Sequence, residues 1–577
     1  MLVVRSMPRV LGGPAVGRGA CRTRLGVLPI ALVTVLLAAG CTSFREPPGR
    51  DAGARPVAEV RTSAPDEELT VIADADPVAA AVSTSRALFD SAEVVVVAGA
   101  DDVGATLLGA ATAVGLGVPL LVESPDGGSD LVADELDRLG ATTVLGVGDG
   151  SEGRPPDAGR AEREVVAVPA DPAGVEELTG LEFVSADPVT PGDEPSAVAD
   201  LEPGAPVALV PEGPTSGGGQ SDPGPVPEVT RAEPLTGTVV LVAGGPESVA
   251  GIATARAAGA RVLLTGGATD PRAVAEVGEA LSEASPERVV ALGPGFVEEQ
   301  GLDWKIRTAS TGQQLPAGGQ LLFPVSFLVA LYGTPGSGAL GVLGEQGLEV
   351  SIERARDTAA LYDGLVDATV VPSFEIIATV ASSSPGPDGN YSTETDPEAL
   401  RSWVEAAGEA GLYVVLDLQP GRSDFLSQAQ QYRALLELPH VGLALDPEWR
   451  LGPGEVHLRQ IGSVGVDEVN AVVTWLADLT RENALPQKLL VLHQFRLDMV
   501  EGRERLDTSR DELVVMVHVD GQGAQPDKQA TWQTLHQDAP APLWWGWKNF
   551  YDEDLPMLTP EQTVASVSPL PSLVSYQ

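Results

Sequence analysis

The chain has 577 residues, of which 36 are Lys or Arg and 81 are Asp or Glu, so its formal net charge is -45 at pH 7. A surface this acidic repels a phosphate backbone, which argues against a nucleic-acid partner. The length leaves room for two or three domains with hydrophobic cores.

The N-terminal residues 1–41 have the layout of a bacterial secretory signal. Arginines precede an uncharged apolar run from Leu25 to Ala39, which is short for a membrane span. The stretch LLAAGC, ending at Cys41, resembles the lipobox of bacterial lipoproteins, in which the cysteine is lipidated and becomes the first residue of the mature chain. This resemblance implies a protein anchored through fatty acids such as palmitate to the outer face of the plasma membrane. The polar residues 42–70 then predict a flexible tether.

The middle of the chain repeats one pattern. Apolar runs alternate with helical patterns from Ala92 to Asp149, and the same order returns from Gly237 to Gly295. Continuous Val/Leu runs of this kind predict parallel strands covered on both faces, hence two doubly wound α/β modules within residues 71–300.

The segment between the two copies is rich in Pro, Gly and acidic residues. We predict a disordered insert near residues 185–236. Two short apolar runs, near Val165 and Val207, predict strands of a degraded middle repeat.

These units resemble the type 2 cell wall-binding repeat. The resemblance is carried by the strand VVVVAG at Val94, the run GVPLLV at Gly117 and the stretch DELDRLGATTVLGVG at Asp134. It covers roughly Ala92 to Gly150 and, more weakly, Gly237 to Gly295. It implies small α/β modules that bind cell-wall polysaccharide.

Glycines follow two of the predicted strands, in VAGADDVGA and VAGGPESVAG. Backbone amides at such turns can receive a phosphate, but neither stretch completes a dinucleotide fingerprint. Tight strand-to-helix turns account for these glycines, so no cofactor is expected.

Residues 320–577 predict a (β/α)8 barrel of the TIM type. Eight apolar strand candidates recur there, beginning near Leu321, Asp367, Gly411, His440, Lys488, Glu512, Pro542 and Ser572. Helical patterns separate several of them, and this rhythm is typical of such barrels. This half also resembles an uncharacterised domain of secreted actinobacterial proteins, which implies a location and no activity.

The ends of the predicted strands carry polar and aromatic residues. In such barrels the active site lies at the C-terminal ends of the strands, so we expect these side chains to line one pocket. They are Glu375, Asp417, Gln419, Asp446, Glu448, Trp449, His493, Gln494, His518, Asp520, Trp545, Trp547 and Asn549.

This set fits glycoside hydrolysis, which needs one protonated and one ionised carboxyl group. We predict Glu448 as the acid, because burial beside Trp449 raises a carboxyl pKa. Asp417 or Asp446 is the candidate ionised partner, with Glu375 and Asp520 as further candidates. The remaining polar side chains would bind hydroxyl groups, and Trp545 and Trp547 would offer flat rings to sugars.

Two other readings stay open. His493, His518, Asp520 and Asp446 offer imidazole and carboxylate ligands for a metal-dependent hydrolase. No paired histidines one helical turn apart support it, and we assign no metal. Alternatively, the barrel binds wall glycan without cutting it, since a fold does not dictate a function.

Overall fold

A computed structural model describes residues 56–124, 130–148, 163–213 and 226–577 of the chain. The predicted signal segment and Cys41 lie outside these residues. Within the described ranges, no helix combines the length and the apolar character that a membrane span requires.

The N-terminal half alternates short strands with short helices. Its strands are β1 (Val57–Thr62), β2 (Leu69–Ile72), β3 (Phe89–Ala92), β4 (Val94–Gly99), β5 (Leu120–Glu123), β6 (Thr143–Val147), β7 (Glu164–Val168), β8 (Val184–Ser185), β9 (Val207–Ala208), β10 (Glu228–Thr230), β11 (Thr238–Val242), β12 (Arg261–Leu264) and β13 (Arg288–Leu292). Its helices are α1 (Pro77–Leu88), α2 (Val103–Leu116), α3 (Asp130–Leu139), α4 (Pro172–Thr179), α5 (Glu194–Ala199), α6 (Val249–Ala257), α7 (Ala275–Ala284) and α8 (Leu302–Ser310).

Two four-stranded parallel sheets repeat one strand order. The first runs β5-β4-β6-β7 and the second runs β12-β11-β13-β2. In both sheets the first strand of the repeated unit lies between the next two, and it is almost wholly buried, as its continuous apolar run requires. The predicted parallel-sheet modules are confirmed.

Helix α2 shows how the local sequence sets these units. The Asp102 side chain accepts a hydrogen bond from the Ala105 amide and caps the start of the helix. Gly117 ends it with φ 78°, a left-handed conformation that glycine adopts without steric cost. The small residues between them allow close packing against the sheet.

Two short strands differ from their predicted places. Strand β1 lies inside the expected tether, residues 42–70, and pairs with β10 and β3. Its alternating pattern buries Ala58 and Val60 on one face, which explains why a polar-looking segment forms a strand. Strand β7, near Val165, is the fourth strand of the first sheet and does not belong to a separate middle repeat.

The Pro/Gly-rich insert contains regular structure in its described part. Helix α5, strand β9 and strand β10 fall within residues 185–236. The buried side chains of Val198 and Leu209 hold this part against the modules, so its composition is a poor guide to its order.

The C-terminal half repeats strand and helix around a closed sheet. Its strands are β14 (Ser326–Gly333), β15 (Thr369–Ala381), β16 (Ser392–Glu394), β17 (Tyr413–Leu418), β18 (Val441–Leu445), β19 (Val464–Gly465), β20 (Lys488–Gln494), β21 (Val500–Glu501), β22 (Leu513–Val519), β23 (Trp544–Asn549) and β24 (Leu573–Tyr576). Its helices are α9 (Leu348–Ala360), α10 (Pro397–Glu409), α11 (Phe425–Gln431), α12 (Arg433–Leu436), α13 (Val466–Glu482), α14 (Gln525–His536) and α15 (Pro560–Ser566).

Eight parallel strands close into a barrel in the order β14-β15-β17-β18-β20-β22-β23-β24, and β24 pairs back with β14. The predicted TIM-like barrel is confirmed, and each of the eight predicted strands is present. The helices α14 and α15 were not anticipated from the sequence.

The barrel has an apolar core inside the strands and another outside them. The inner core includes Leu328, Val415, Val491 and Met516. The outer core packs the opposite faces of the strands against the helices. Because side chains alternate along a strand, every second residue continues the inner face towards the C-terminal end of the barrel.

Helix α8 packs against the barrel through buried charged groups. Lys305 forms salt bridges with Glu299 and Asp511, and the Lys305–Asp511 distance is 2.6 Å. The guanidinium of Arg481 lies 5.3 Å from the ring centroid of the buried Trp304. These contacts join the second module to the barrel.

Candidate functional site

A layer of polar side chains lies above the apolar core inside the barrel. Each member is two or four residues beyond an inner core residue on its own strand, so all face inward. These residues are Tyr332, Glu375, Asp417, Asp446, His493, His518, Lys548 and Ser575, and each is at most 3% exposed. Polar groups concentrated at this end of a barrel indicate a functional site.

His493 connects two carboxylates. Its Nε2 lies 2.8 Å from Glu375 Oε1, and its Nδ1 lies 2.9 Å from Asp520 Oδ2. His518 pairs with His493 across strands β20 and β22, and its Nε2 lies 3.1 Å from Ser575 Oγ. The arrangement fixes both imidazole rings.

The pKa values of the two histidines are shifted in opposite directions. Burial alone would raise the pKa of Glu375, but the imidazoles of His518 and His493 hold this pKa well below its usual range. Burial likewise opposes a charge on His493, yet Glu375, Asp417 and Asp520 raise its pKa well above the ordinary value. Burial lowers the pKa of His518. The surroundings therefore favour a proton on the His493 ring and disfavour a second proton on the His518 ring.

Tyr332, Asp417 and Lys548 form a second group in the layer. The Tyr332 hydroxyl donates to Asp417 Oδ2 at 2.8 Å, and Lys548 Nζ lies 3.4 Å from the centroid of the Tyr332 ring. Burial raises the pKa of Asp417 to about 6, against the lowering effect of His493, Tyr332 and Lys548. Asp417 therefore loses its proton as the pH rises through about 6.

Asp446 and Glu448 lie where β18 ends in a short 3-10 turn, Pro447–Trp449. The Asp446 side chain accepts from the Glu448 amide at 3.1 Å and holds the turn. Burial, reinforced by neighbouring carboxylates, raises the pKa of Asp446 well above its usual range. Glu448 is half-buried, and burial together with the charge of Asp520 raises its pKa to about 7. Glu448 is thus about half protonated at neutral pH.

Two predicted binding residues lie beside this group. Gln419 Oε1 accepts from the Ala381 amide at 2.9 Å, and its Nε2 lies 3.5 Å from the Tyr332 hydroxyl. Trp449 shares the turn of Glu448 and is half-buried, and its ring lies 5.4 Å from that of His457. The ring of Trp449 therefore lies in the same turn as Glu448.

Four predicted binding residues face the helix layer instead of the pocket. The rings of Trp545 and Trp547 pack on Trp532 of α14, and Trp545 also stacks on His536 at 3.5 Å. Asn549 accepts from the Trp547 indole at 2.8 Å. Gln494 follows His493 directly and therefore has the opposite orientation. The expected sugar-stacking role of Trp545 and Trp547 is replaced by core packing.

The sequence prediction missed Tyr332, Lys548 and Ser575. Each stands at an inward position near the end of its strand, and Lys548 lies between two residues that were selected in its place. Counting every second residue from the inner-core residues Leu328, Trp544 and Leu573 reaches all three, but only the folded barrel identifies the inner face.

Replacing Tyr332 with Phe tests the second group. The variant leaves a buried oxygen of Asp417 without its donor, so we expect the free energy of unfolding to fall by about 1–3 kcal/mol. Because the lost hydrogen bond stabilises the ionised form, the pKa of Asp417 should rise above about 6. Denaturant unfolding and carboxyl NMR titration measure these two effects. An unchanged Asp417 titration would show that the hydroxyl does not stabilise the carboxylate.

No family model and no curated protein matches the chain. Solved structures with weak similarity include two cell wall proteins, Cwp8 and Cwp6 from Clostridium difficile. Cwp8 has a TM-score of 0.30 and 14% identity, over 43% of this chain and 52% of that chain. Cwp6 has a TM-score of 0.30 and 14% identity, over 56% of this chain and 64% of that chain. The chain thus spans between half and two thirds of either structure, and values this low establish no shared activity or partner.

Proposed function

We propose that the barrel hydrolyses glycosidic bonds in a cell-wall polysaccharide, with Glu448 as the general acid. The observation that carries this proposal is a half-buried carboxyl group, with a pKa of about 7, at the end of a strand that also carries Asp446. A general acid is most effective when its pKa lies near the working pH. Glu448 would donate its proton to the leaving glycosidic oxygen.

Asp417 is the better candidate for the ionised partner. Its pKa of about 6 leaves it mostly negatively charged at neutral pH, whereas burial and neighbouring carboxylates raise the pKa of Asp446 well above its usual range. Asp417 would attack the anomeric carbon or accept a proton from the attacking water. Asp446 would hold the Glu448 turn through the hydrogen bond that it accepts from the Glu448 amide.

We assign the hydroxyl-binding role to side chains around these carboxyl groups. Gln419, Lys548 and Trp449 lie on strands or turns that reach the same end of the barrel. Together they supply amide, ammonium and aromatic surfaces, which suit sugar hydroxyls and ring faces.

The N-terminal modules would hold the protein on the same polymer. Support comes from the cell wall-binding pattern between Ala92 and Gly150 and from the shared order of the two sheets. The lipobox-like stretch ending at Cys41 supports a lipid anchor that places the protein outside the membrane. Polymer binding by the modules and the lipid anchor at Cys41 are both parts of this proposal.

The test is reducing-end release from actinobacterial wall polysaccharide fractions by the chain that starts after Cys41. We expect new reducing ends from at least one fraction, and sedimentation of the chain with the same fraction. A shorter fragment beginning at Ala92 is unsuitable, because it would lack strand β2 of the second sheet. Folded protein that sediments with polymer and releases no ends would identify a glycan-binding scaffold instead.

A further inference from the structure

Two histidines and one glutamate on three barrel strands bring their ligand atoms close together. Glu375 Oε1 lies 2.8 Å from His493 Nε2 and 3.6 Å from His518 Nδ1. One ligand atom from each of the three residues lies within 4.8 Å of the other two. All three side chains are fully buried.

The far nitrogen of each ring is held by an oxygen atom. His493 Nδ1 lies 2.9 Å from Asp520 Oδ2, and His518 Nε2 lies 3.1 Å from Ser575 Oγ. A carboxylate accepts only, so His493 carries a proton on Nδ1 and turns Nε2 inward. Metal-binding histidines are oriented by such an outer hydrogen bond.

Two atoms of this cluster lack hydrogen-bond partners. Within the described residues, neither His518 Nδ1 nor Glu375 Oε2 has one, although both are buried. Buried polar atoms without a partner are rare and call for an explanation such as an ion. A cation between the three residues would give His518 Nδ1 a partner and would neutralise the charge of the Glu375 carboxylate.

We propose that Glu375, His493 and His518 bind one divalent transition-metal ion of the zinc class. Two imidazoles and one carboxylate form a ligand set that zinc accepts while keeping a further position open. A second grouping, Asp446, His493 and Asp520, offers only one imidazole and is the weaker alternative. Binding of the ion would replace the contact between His493 Nε2 and Glu375 Oε1.

The proposed metal ligands are not the residues that we assign to hydrolysis. Glu448 and Asp417, which we assign to bond cleavage, are not among the three ligands. The zinc content of the protein therefore tests the metal site. Hydrolysis that persists in the presence of a chelator tests the proposed glycosidase activity.

The experiment uses the chain that starts after Cys41, loaded with Zn²⁺ and then dialysed against metal-free buffer. We expect one zinc ion per chain by elemental analysis, and a higher thermal midpoint than in the metal-free protein. His518→Gln and Glu375→Gln should lose the ion and the midpoint shift. Asp520→Ala, which removes an orienting contact, should weaken zinc binding by about 10–100-fold in a calorimetric titration.

A control variant distinguishes zinc bound at this site from zinc bound to acidic residues on the surface. His440→Gln alters a histidine whose Nε2 lies 3.0 Å from the Val404 carbonyl oxygen, and it should retain the ion. Circular dichroism confirms that each variant is folded, and Ser575→Ala provides a milder variant if His518→Gln does not fold. Folded wild-type protein without zinc, or equal zinc in the wild type and both ligand variants, would overturn the proposal.

Discussion

Replacing Glu448 with Gln is expected to lower kcat for polysaccharide hydrolysis by about 10²–10⁴-fold, because the amide cannot donate a proton to the leaving oxygen. The amide keeps the size and much of the polarity of the carboxyl group. KM should therefore change much less than kcat. Reducing-end assays over a range of polymer concentrations separate the two constants.

The pH profile gives the same prediction a second readout. Burial raises the pKa of Glu448 to about 7, so wild-type activity should decline as pH rises through that value and the acid ionises. The declining limb should be absent from the residual activity of Glu448→Gln. Glu409→Gln, which alters an exposed carboxylate on α10, is the matched control and should leave both kcat and the profile unchanged.

Stability should respond to pH through the same residue. Because the pKa of Glu448 is higher in the folded chain than its ordinary value of 4.5, the folded state binds more protons between pH 4.5 and about 7. The contribution of Glu448 to stability is consequently present at low pH and is lost as pH rises through this window. Glu448→Gln should show a shallower decline of the thermal midpoint from pH 5 to pH 8. Activity lost by Glu448→Gln without either pH effect would indicate that Glu448 only positions substrate.

The barrel was predictable because its strands are continuous apolar runs separated by helical patterns. The runs around Val441 and Leu489 sit among eight parallel strands, which are buried on both faces and so lack polar alternation. Helix α14 was not recognised because its sequence, QPDKQATWQTLH, has few apolar residues, although it buries Trp532.

The site was predicted less completely because the sequence does not state which residue of a strand faces inward. His493 and Gln494 are neighbours of similar polarity, and only the closed barrel assigns His493 to the inside. For the same reason, the sequence prediction included Trp547 among the pocket residues and omitted its neighbour Lys548. A one-residue error exchanges the two faces, so the set of pocket residues depends on register more than on composition.

The distances within the polar layer could not be inferred from the sequence either. Glu375 and His493 are 118 positions apart, yet they share a hydrogen bond. Their meeting depends on closure of the sheet between β14 and β24. Spacing arguments along the chain therefore found no metal signature, although the folded barrel brings two imidazoles and a carboxylate together.

A buried ion pair holds the loop that follows β23. Breaking this ion pair should lower the free energy of unfolding more than any other substitution proposed for this protein. Lys528 Nζ lies 2.8 Å from Asp554 Oδ2 and donates to the Lys548 carbonyl at 2.7 Å. Asp554 in turn accepts from the amides of Gly523 and Phe550. The pair thus joins α14 to the end of the strand that carries Lys548.

Lys528→Met is expected to lower the free energy of unfolding by about 3–5 kcal/mol, because it leaves the Asp554 carboxylate buried without its counter-ion. Adding Asp554→Asn removes that charge and keeps an acceptor oxygen for one of the two amides. The double variant should therefore recover part of the loss. Urea unfolding of the wild type, both single variants and the double variant gives the coupling energy directly. Additive losses would show that the two side chains act independently, and Lys548 would then be held in place by its strand alone.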